Sequence, residues 1–151
     1  MLQKSNHIPS ELLKEYNLSH TKIREEIINV LMQSDVALSS PEITEKMKMN
    51  CDRVTLYRNL KTLVEKGIAH QIFVNNHESR YVLPERDIHT GRHNTDHIHF
   101  KCLSCSVVQC LHDSLVEPLN LPDGFTKLET NYVVFGFCKT CNANNPKFKT
   151  Y

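Results

Sequence analysis

Four cysteines in two C-x-x-C pairs constrain this chain more than any other feature. Cys102 and Cys105 bracket two residues in KCLSCS, and Cys138 and Cys141 bracket two in FCKTCN. Tetrahedral Zn²⁺ takes four thiolates at about 2.3 Å in closed structural sites. A C-x-x-C knuckle turns tightly enough to aim both sulfurs at one point. The 32 residues between the knuckles, 106 to 137, exceed the ~15–20 usual in a zinc ribbon. A metal here would therefore clip together two distant parts of a larger domain. The same pattern also fits two disulfides or redox pairs. Nothing in the sequence looks secreted, however, and in a cytosolic setting cysteines are more often ligands.

A chain of 151 residues suggests one or two small domains. Its opening stretch, MLQKSNHIPSELLKEY, has no apolar h-region, and no apolar run approaches the ~20 residues of a membrane span. A cytoplasmic location with no membrane partner is expected. The net charge is only +1, so any nucleic-acid contact must come from locally placed cations rather than from a basic field. Ligand-type residues crowd the second half. His89, His93, His97, His99 and His112 fall within 24 positions, and of the six cysteines only Cys51 lies elsewhere.

The first half reads as helical. SELLKEY follows Pro9, with Ser10 as the expected N-cap. From Thr21 to Met32, Ile23, Ile27, Val30 and Leu31 share a face. Ser39 or Ser40 caps a third helix with Pro41 in its first turn and Glu42 placed for a capping box. In DRVTLYRNLKTLVEK, Leu56, Leu60, Leu63 and Val64 repeat at helical spacing, and Gly67 is placed to end the helix. After Gly67 the period changes. IAHQIFV and SRYVL predict two strands joined at VNNHE. Helices followed by a small hairpin make a winged helix-turn-helix. PERDIHTGRHNTD reads as a linker, DHIHFKC and VVQCL as a hairpin, HDSLVEPL as a short helix, and Lys127–Phe137 as a long strand into the second knuckle.

The polar side of the fourth helix is the candidate nucleic-acid surface. Thr55, Arg58 and Thr62 share a narrow sector away from Leu56 and Leu60, bordered by Asn59 and Lys61. A cation with hydroxyls and an amide can contact phosphates and base edges, although such a face can equally be plain solvated surface. The hairpin wing that follows favours the DNA reading. Arg53 and Lys22 or Arg24 are candidate phosphate contacts.

RVTLYRNLKTLVEKGI resembles the recognition-helix signature of the ferric uptake regulator family of bacterial metal-dependent repressors. HIHFKCLSC is similar to that family's metal-binding strand and first knuckle. The spacing to FGFCKTC and the T-x-x-R segment at Thr21 and Arg24 match as well. The resemblance covers nearly the whole chain. It implies an α+β fold: an N-terminal winged helix (1–84), a hinge (85–96), and a small α/β dimerisation domain with a four-cysteine zinc site (97–151). It also implies a regulatory metal, a homodimer, and a palindromic operator in double-stranded DNA. On this basis DNA contact is expected from Arg53, Thr55, Tyr57, Arg58, Lys61 and Thr62.

A sensor needs an exchangeable metal site beside the closed one. His97 and His99 are i and i+2 in a strand and so share a face. The matching histidines of the family ligate the regulatory metal, and Glu117 matches a family carboxylate ligand. Other positions depart from the family pattern. Cys110 stands where a carboxylate is usual, Ala37 and Thr130 where histidines occur, and Val82 where an acid or thiol is expected. The linker offers His89, His93 and Asp96 instead. A thiolate with imidazoles suits Zn²⁺ better than Fe²⁺ or Mn²⁺, so zinc sensing is the expectation. The chain is expected to be a metal-responsive repressor and not an enzyme. Two rivals are a thiol redox switch using Cys110 and Cys51, and a zinc enzyme using His97, His99 and Glu117.

Overall fold

The computed structural model describes residues 8–84, 97–112, 114, 116–117, 119–128 and 130–144. The expected hinge, with His89, His93 and Asp96, lies outside the described residues. The chain divides into two compact units, Met1–His93 and Asn94–Tyr151.

In the first unit each helix start is written in its local sequence. The first helix, α1 (Pro9–Glu15), opens with Pro9, where a missing N–H costs nothing. Ile8 takes the N-cap position without a side-chain bond, so Ser10 is not the cap; the φ preset by Pro9 starts the helix earlier. Next, α2 (Lys22–Met32) is capped by Thr21, whose hydroxyl accepts from the Arg24 N–H at 3.3 Å. The following helix, α3 (Ser40–Lys46), has the expected capping box. Ser39 Oγ accepts from the Glu42 N–H, and the Glu42 carboxylate accepts from the Ser39 N–H at 2.8 Å. Finally, α4 (Arg53–Glu65) starts at Asp52, whose carboxylate accepts from Val54 and Thr55 N–H at 3.0 and 2.9 Å. It ends in a Schellman turn: Gly67 and Ile68 N–H reach the carbonyls of Val64 and Leu63, both at 2.9 Å. Gly67 sits at φ +75°, where a Cβ would clash with the backbone.

The helices close on one core. Ile27, Ile28 and Leu31 of α2, Ile43 of α3, and Leu56, Leu60 and Leu63 of α4 are essentially sealed from solvent, clustered with Leu12, Leu13 and Tyr81. Each such side chain contributes about 1.5–3 kcal/mol of burial. Strands β1 (His70–Asn75) and β2 (Glu78–Val82) pair antiparallel as the wing. The wing is tied back twice. Leu38 and Tyr81 exchange backbone hydrogen bonds at 2.9 and 2.7 Å. Arg80, with its side chain 12% exposed, donates to Glu78 at 2.9 Å and to Glu42 at 2.7 Å. The carboxylate that caps α3 is thus also an anchor of the wing.

The second unit is built on a three-stranded sheet. The central β3 (Ile98–Cys102) runs antiparallel to β4 (Val108–Leu111) and parallel to β5 (Tyr132–Gly136). A short helix, α5 (Lys139–Ala143), follows Cys138. The only buried apolar side chains among the unit's described residues are Cys102 and Val108. Val134 and Phe135 on the edge strand β5 remain exposed.

Two expected elements differ. The strand expected over Lys127–Phe137 is confined to Tyr132–Gly136, because β3 offers only five partner positions, Ile98 to Cys102. The described residues of HDSLVEPL form no helix. So short a segment, cut off by Pro118, cannot offset the cost of nucleating a helical turn. The short α5 was not anticipated, since KTCNA is too brief to show a helical period.

Candidate nucleic-acid interface and metal centres

Arg53, Val54, Tyr57, Arg58 and Lys61 of α4 are exposed. Positions 54, 57, 58 and 61 follow the i, i+3, i+4, i+7 spacing of a single face. Val54 and Tyr57 are large apolar groups left 57% and 60% exposed there, between cations. Sequence reasoning selected Tyr57 but missed Val54. The signal was its place three residues before Tyr57, on the face away from Leu56 and Leu60. Thr55 and Thr62 are half-buried, and their hydroxyl protons are committed. Thr55 donates to the Asp52 carboxylate, and Thr62 donates to the Arg58 carbonyl at 2.9 Å. Each oxygen can still accept.

Arg24 commits its Nε and Nη1 groups within the protein. It donates to the Ser19 carbonyl at 2.7 Å, to Ser19 Oγ at 2.6 Å and to Asn59 Oδ1 at 3.2 Å. Asn59 in turn donates to the Thr55 carbonyl at 2.8 Å. This network locks α2 to α4 and fixes the angle at which the exposed face is presented. Lys22 is exposed. The Lys61–Glu65 pair at 3.8 Å is solvent-exposed and contributes little.

The two knuckles meet. Cys102 lies at the end of β3, Cys105 in the turn after it, Cys138 before α5 and Cys141 within it. Parallel pairing sets Cys102 beside Gly136, which brings the second knuckle alongside the first. The four sulfurs lie within 4.8 Å of one another. Cys105 and Cys138 are 3.8 Å apart, and a tetrahedron with arms of about 2.3 Å has edges of about 3.8 Å. No cysteine is paired in a disulfide. The Cys102 thiol is lowered to about 6, first by the Cys105 N–H and then by the Cys138 N–H, which reaches its sulfur at 3.4 Å. Cys141 is raised to about 12. The Ser104 hydroxyl is its largest influence and lowers it, but hydrogen bonds with Cys138, Cys105 and Cys102, together with burial, outweigh that effect. The Cys102 sulfur is prepared as an anion, while Cys141 resists ionising without a cation nearby. The donor chemistry and spacing therefore fit Zn²⁺.

A second donor group gathers on the β3–β4 ladder. His97 and His99 are buried, and Cys110 and His112 are half-buried. His99 pairs with Cys110 and Ile98 with Leu111. The donor atoms of His97, Cys110 and His112 lie within 4.8 Å of one another. The His97 ring centroid is 4.5 Å from that of His112 and 4.6 Å from that of His99. Glu117 is not brought to these donors. It is exposed and lines a recess of about 480 Å³ with Ile98, Val116, Leu119 and Tyr132. Alternation along β3 turns Ile98 away from the face of His97 and His99. Cys51 packs partly buried against the core of the first unit. Burial and the Asp52 carboxylate push its thiol up, whereas a helix N-terminus alone would lower it.

The sequence pattern of the ferric uptake regulator family matches residues 15–121. The chain belongs to this family. It is therefore a DNA-binding, metal-responsive transcriptional regulator and not an enzyme. Among curated proteins none matches it in sequence. The ferric uptake regulator of Helicobacter pylori, described as having three functional metal-binding sites, has a similar fold. It shows a TM-score of 0.59 and 20% identity over 93% of this chain and 97% of that one. The Vibrio cholerae ferric uptake regulator gives 0.60 and 20% over 85% and 98%. A zinc uptake regulator complexed with zinc and DNA gives 0.65 and 19% over 87% and 89%. At these identities the likeness concerns the fold. Against the family pattern, the buried Ala37 fills a position where a histidine is common, and it offers only its carbonyl, which accepts from Arg80 at 3.5 Å. No helix among the described residues is long and apolar enough to cross a membrane.

Proposed function

We propose that this chain is a zinc-responsive transcriptional repressor that controls metal-uptake genes. It acts as a homodimer on a palindromic operator, with the winged helix at 1–84, the hinge at 85–96 and the metal-binding dimerisation domain at 97–151. The observation that carries the metal response is the second donor set. It mixes imidazole and thiol, and it is separate from the four-sulfur cluster. Thiolate with imidazole ranks Zn²⁺ above Fe²⁺ and Mn²⁺. Cys102, Cys105, Cys138 and Cys141 hold a structural Zn²⁺, and His97, His99 and Cys110 belong to the regulatory centre.

DNA contact falls to α4. Arg53, Arg58 and Lys61 are placed for phosphates or guanine edges. Val54 and Tyr57 are placed for thymine methyls and sugars, and Thr55 and Thr62 act as acceptors. Metal favours DNA binding only by binding more tightly to the DNA-competent arrangement. In a two-fold dimer, the two copies of α4 would then read half-sites about one helical turn apart. A thiol redox switch through Cys51 is disfavoured, because its thiolate is the suppressed form.

The test selects a duplex from a random-sequence pool with zinc-loaded protein, then titrates binding in buffered Zn²⁺, Fe²⁺ and Mn²⁺. Tight binding at the lowest free Zn²⁺ is expected. DNA affinity that ignores all three metals yet falls with peroxide would replace this reading with the redox one.

A further inference from the structure

We infer that His112 is a ligand of the regulatory metal, completing a nitrogen–sulfur–nitrogen site with His97 and Cys110 on one face of the β3–β4 ladder. The regulatory consequence rests on the reading above; the binding claim stands on its own geometry. In the antiparallel register, Ile98 faces Leu111 and His99 faces Cys110. One further step sets His97 opposite His112. Side chains alternate along each strand, so 97 and 99 share a face with 110 and 112. The observed geometry agrees: the donor atoms of His97, Cys110 and His112 are mutually within 4.8 Å, and the two imidazole centroids are 4.5 Å apart.

His112 has the spacing of a ligand by virtue of the hairpin. Cys110 and His112 are i and i+2 on β4 and the residue after it, as His97 and His99 are on β3 and the residue before it. The four-cysteine cluster supplies every ligand a tetrahedral ion needs. This trio supplies three and leaves a position for water or another donor. Cys110 and His112 are half-buried, so solvent reaches the site. An incomplete, accessible, mixed-donor site exchanges its ion more readily than a closed tetrathiolate does. That is the property a sensor needs, and its sulfur selects Zn²⁺ over harder ions.

The experiment uses the full chain with its structural zinc in place and adds Co²⁺ as a spectroscopic probe, followed by competition with Zn²⁺. Wild-type protein should take up one further equivalent of Co²⁺ with a thiolate-to-cobalt charge-transfer band. Cys110→Ser should lose that band. His112→Ala should weaken binding of both ions by ~10–100-fold or more, since even outer-shell partners are worth that much. His77→Ala, an exposed wing histidine, should change nothing. Unaltered zinc content and amide protection certify the fold; if His112→Ala fails that check, His112→Gln takes its place. Wild-type Co²⁺ affinity and spectrum in a folded His112 variant overturn the inference, even where metal still controls DNA binding. If the His112 and Cys110 variants behave as expected but DNA affinity ignores metal, the site stands and the regulatory reading falls.

Discussion

Cys102→Ser should unfold the sheet of the second unit and leave the winged helix intact. The magnitude follows from what that sheet buries. Apart from the ligand Cys102, its only sealed apolar side chain among the described residues is Val108, worth ~1.5–3 kcal/mol. A structural zinc held by four thiolates is worth ~10–16 kcal/mol at neutral pH. The metal term is thus the larger of the two, and it matches the whole net stability of an ordinary domain, ~5–15 kcal/mol. Cys102 is fully buried, and the Cys105 and Cys138 N–H groups lower its thiol to about 6, so serine there removes a ligand prepared for the metal. The chain has no tryptophan, so segment-resolved hydrogen exchange is the appropriate assay. Amides of residues 98–102, 108–111 and 132–136 should lose ~4 kcal/mol or more of protection, about a thousandfold in exchange rate. Amides of α4 should keep theirs, because Leu56, Leu60 and Leu63 belong to a core that needs no metal. A metal-free variant with wild-type protection in all three strands would refute the reasoning.

Other outcomes can be checked as directly. Arg58→Ala should cost about 1–3 kcal/mol at one base pair if the guanidinium reads guanine, or reduce the salt slope by about 1 if it meets phosphate; unchanged operator affinity in fluorescence anisotropy would remove α4's exposed face from the interface. Leu60→Ala should destabilise the winged helix by ~2–5 kcal/mol in urea denaturation, since the side chain is fully buried at the centre of α4's apolar stripe. Glu42 gives a pH signature. Burial is the largest influence on it and raises its pKa, but hydrogen bonds from the Ser39 hydroxyl and N–H and the Arg80 guanidinium bring it below the ordinary 4.5. A lowered folded pKa stabilises above the unfolded value, and that stability is lost as pH falls through the folded one. Glu42→Gln should therefore flatten the acid limb of winged-helix stability below about pH 4.5; an unchanged limb in acid titration by circular dichroism would contradict the Arg80–Glu42 anchor.

Much of the fold is local chemistry and could be read directly. The cap at Ser39 and the Schellman glycine at 67 act through bonds to residues three to five positions away; the caps at Thr21 and Asp52 are equally local, though the sequence reading did not single them out. The leucine stripe of α4 declares its period, and the two C-x-x-C knuckles declare a shared point, because few other arrangements suit four thiols. What the sequence left open depends on partners far along the chain. The length of β5 is set by β3, not by the Val, Tyr and Phe content of Lys127–Phe137. Arg24 and Asn59 look available on a helical wheel, yet 35 positions apart they satisfy each other. Glu117 has the spacing of a ligand, but it lies exposed at a recess lined by Ile98 and Tyr132 and is not grouped with the histidine and cysteine donors. His112, noted only as one of a cluster of histidines and expected in a short helix, becomes the neighbour of His97 through the β3–β4 register. Residue types and short spacings determined which chemistry this protein carries. Strand register, which pairs residues without regard to their distance in sequence, decided which of those groups meet.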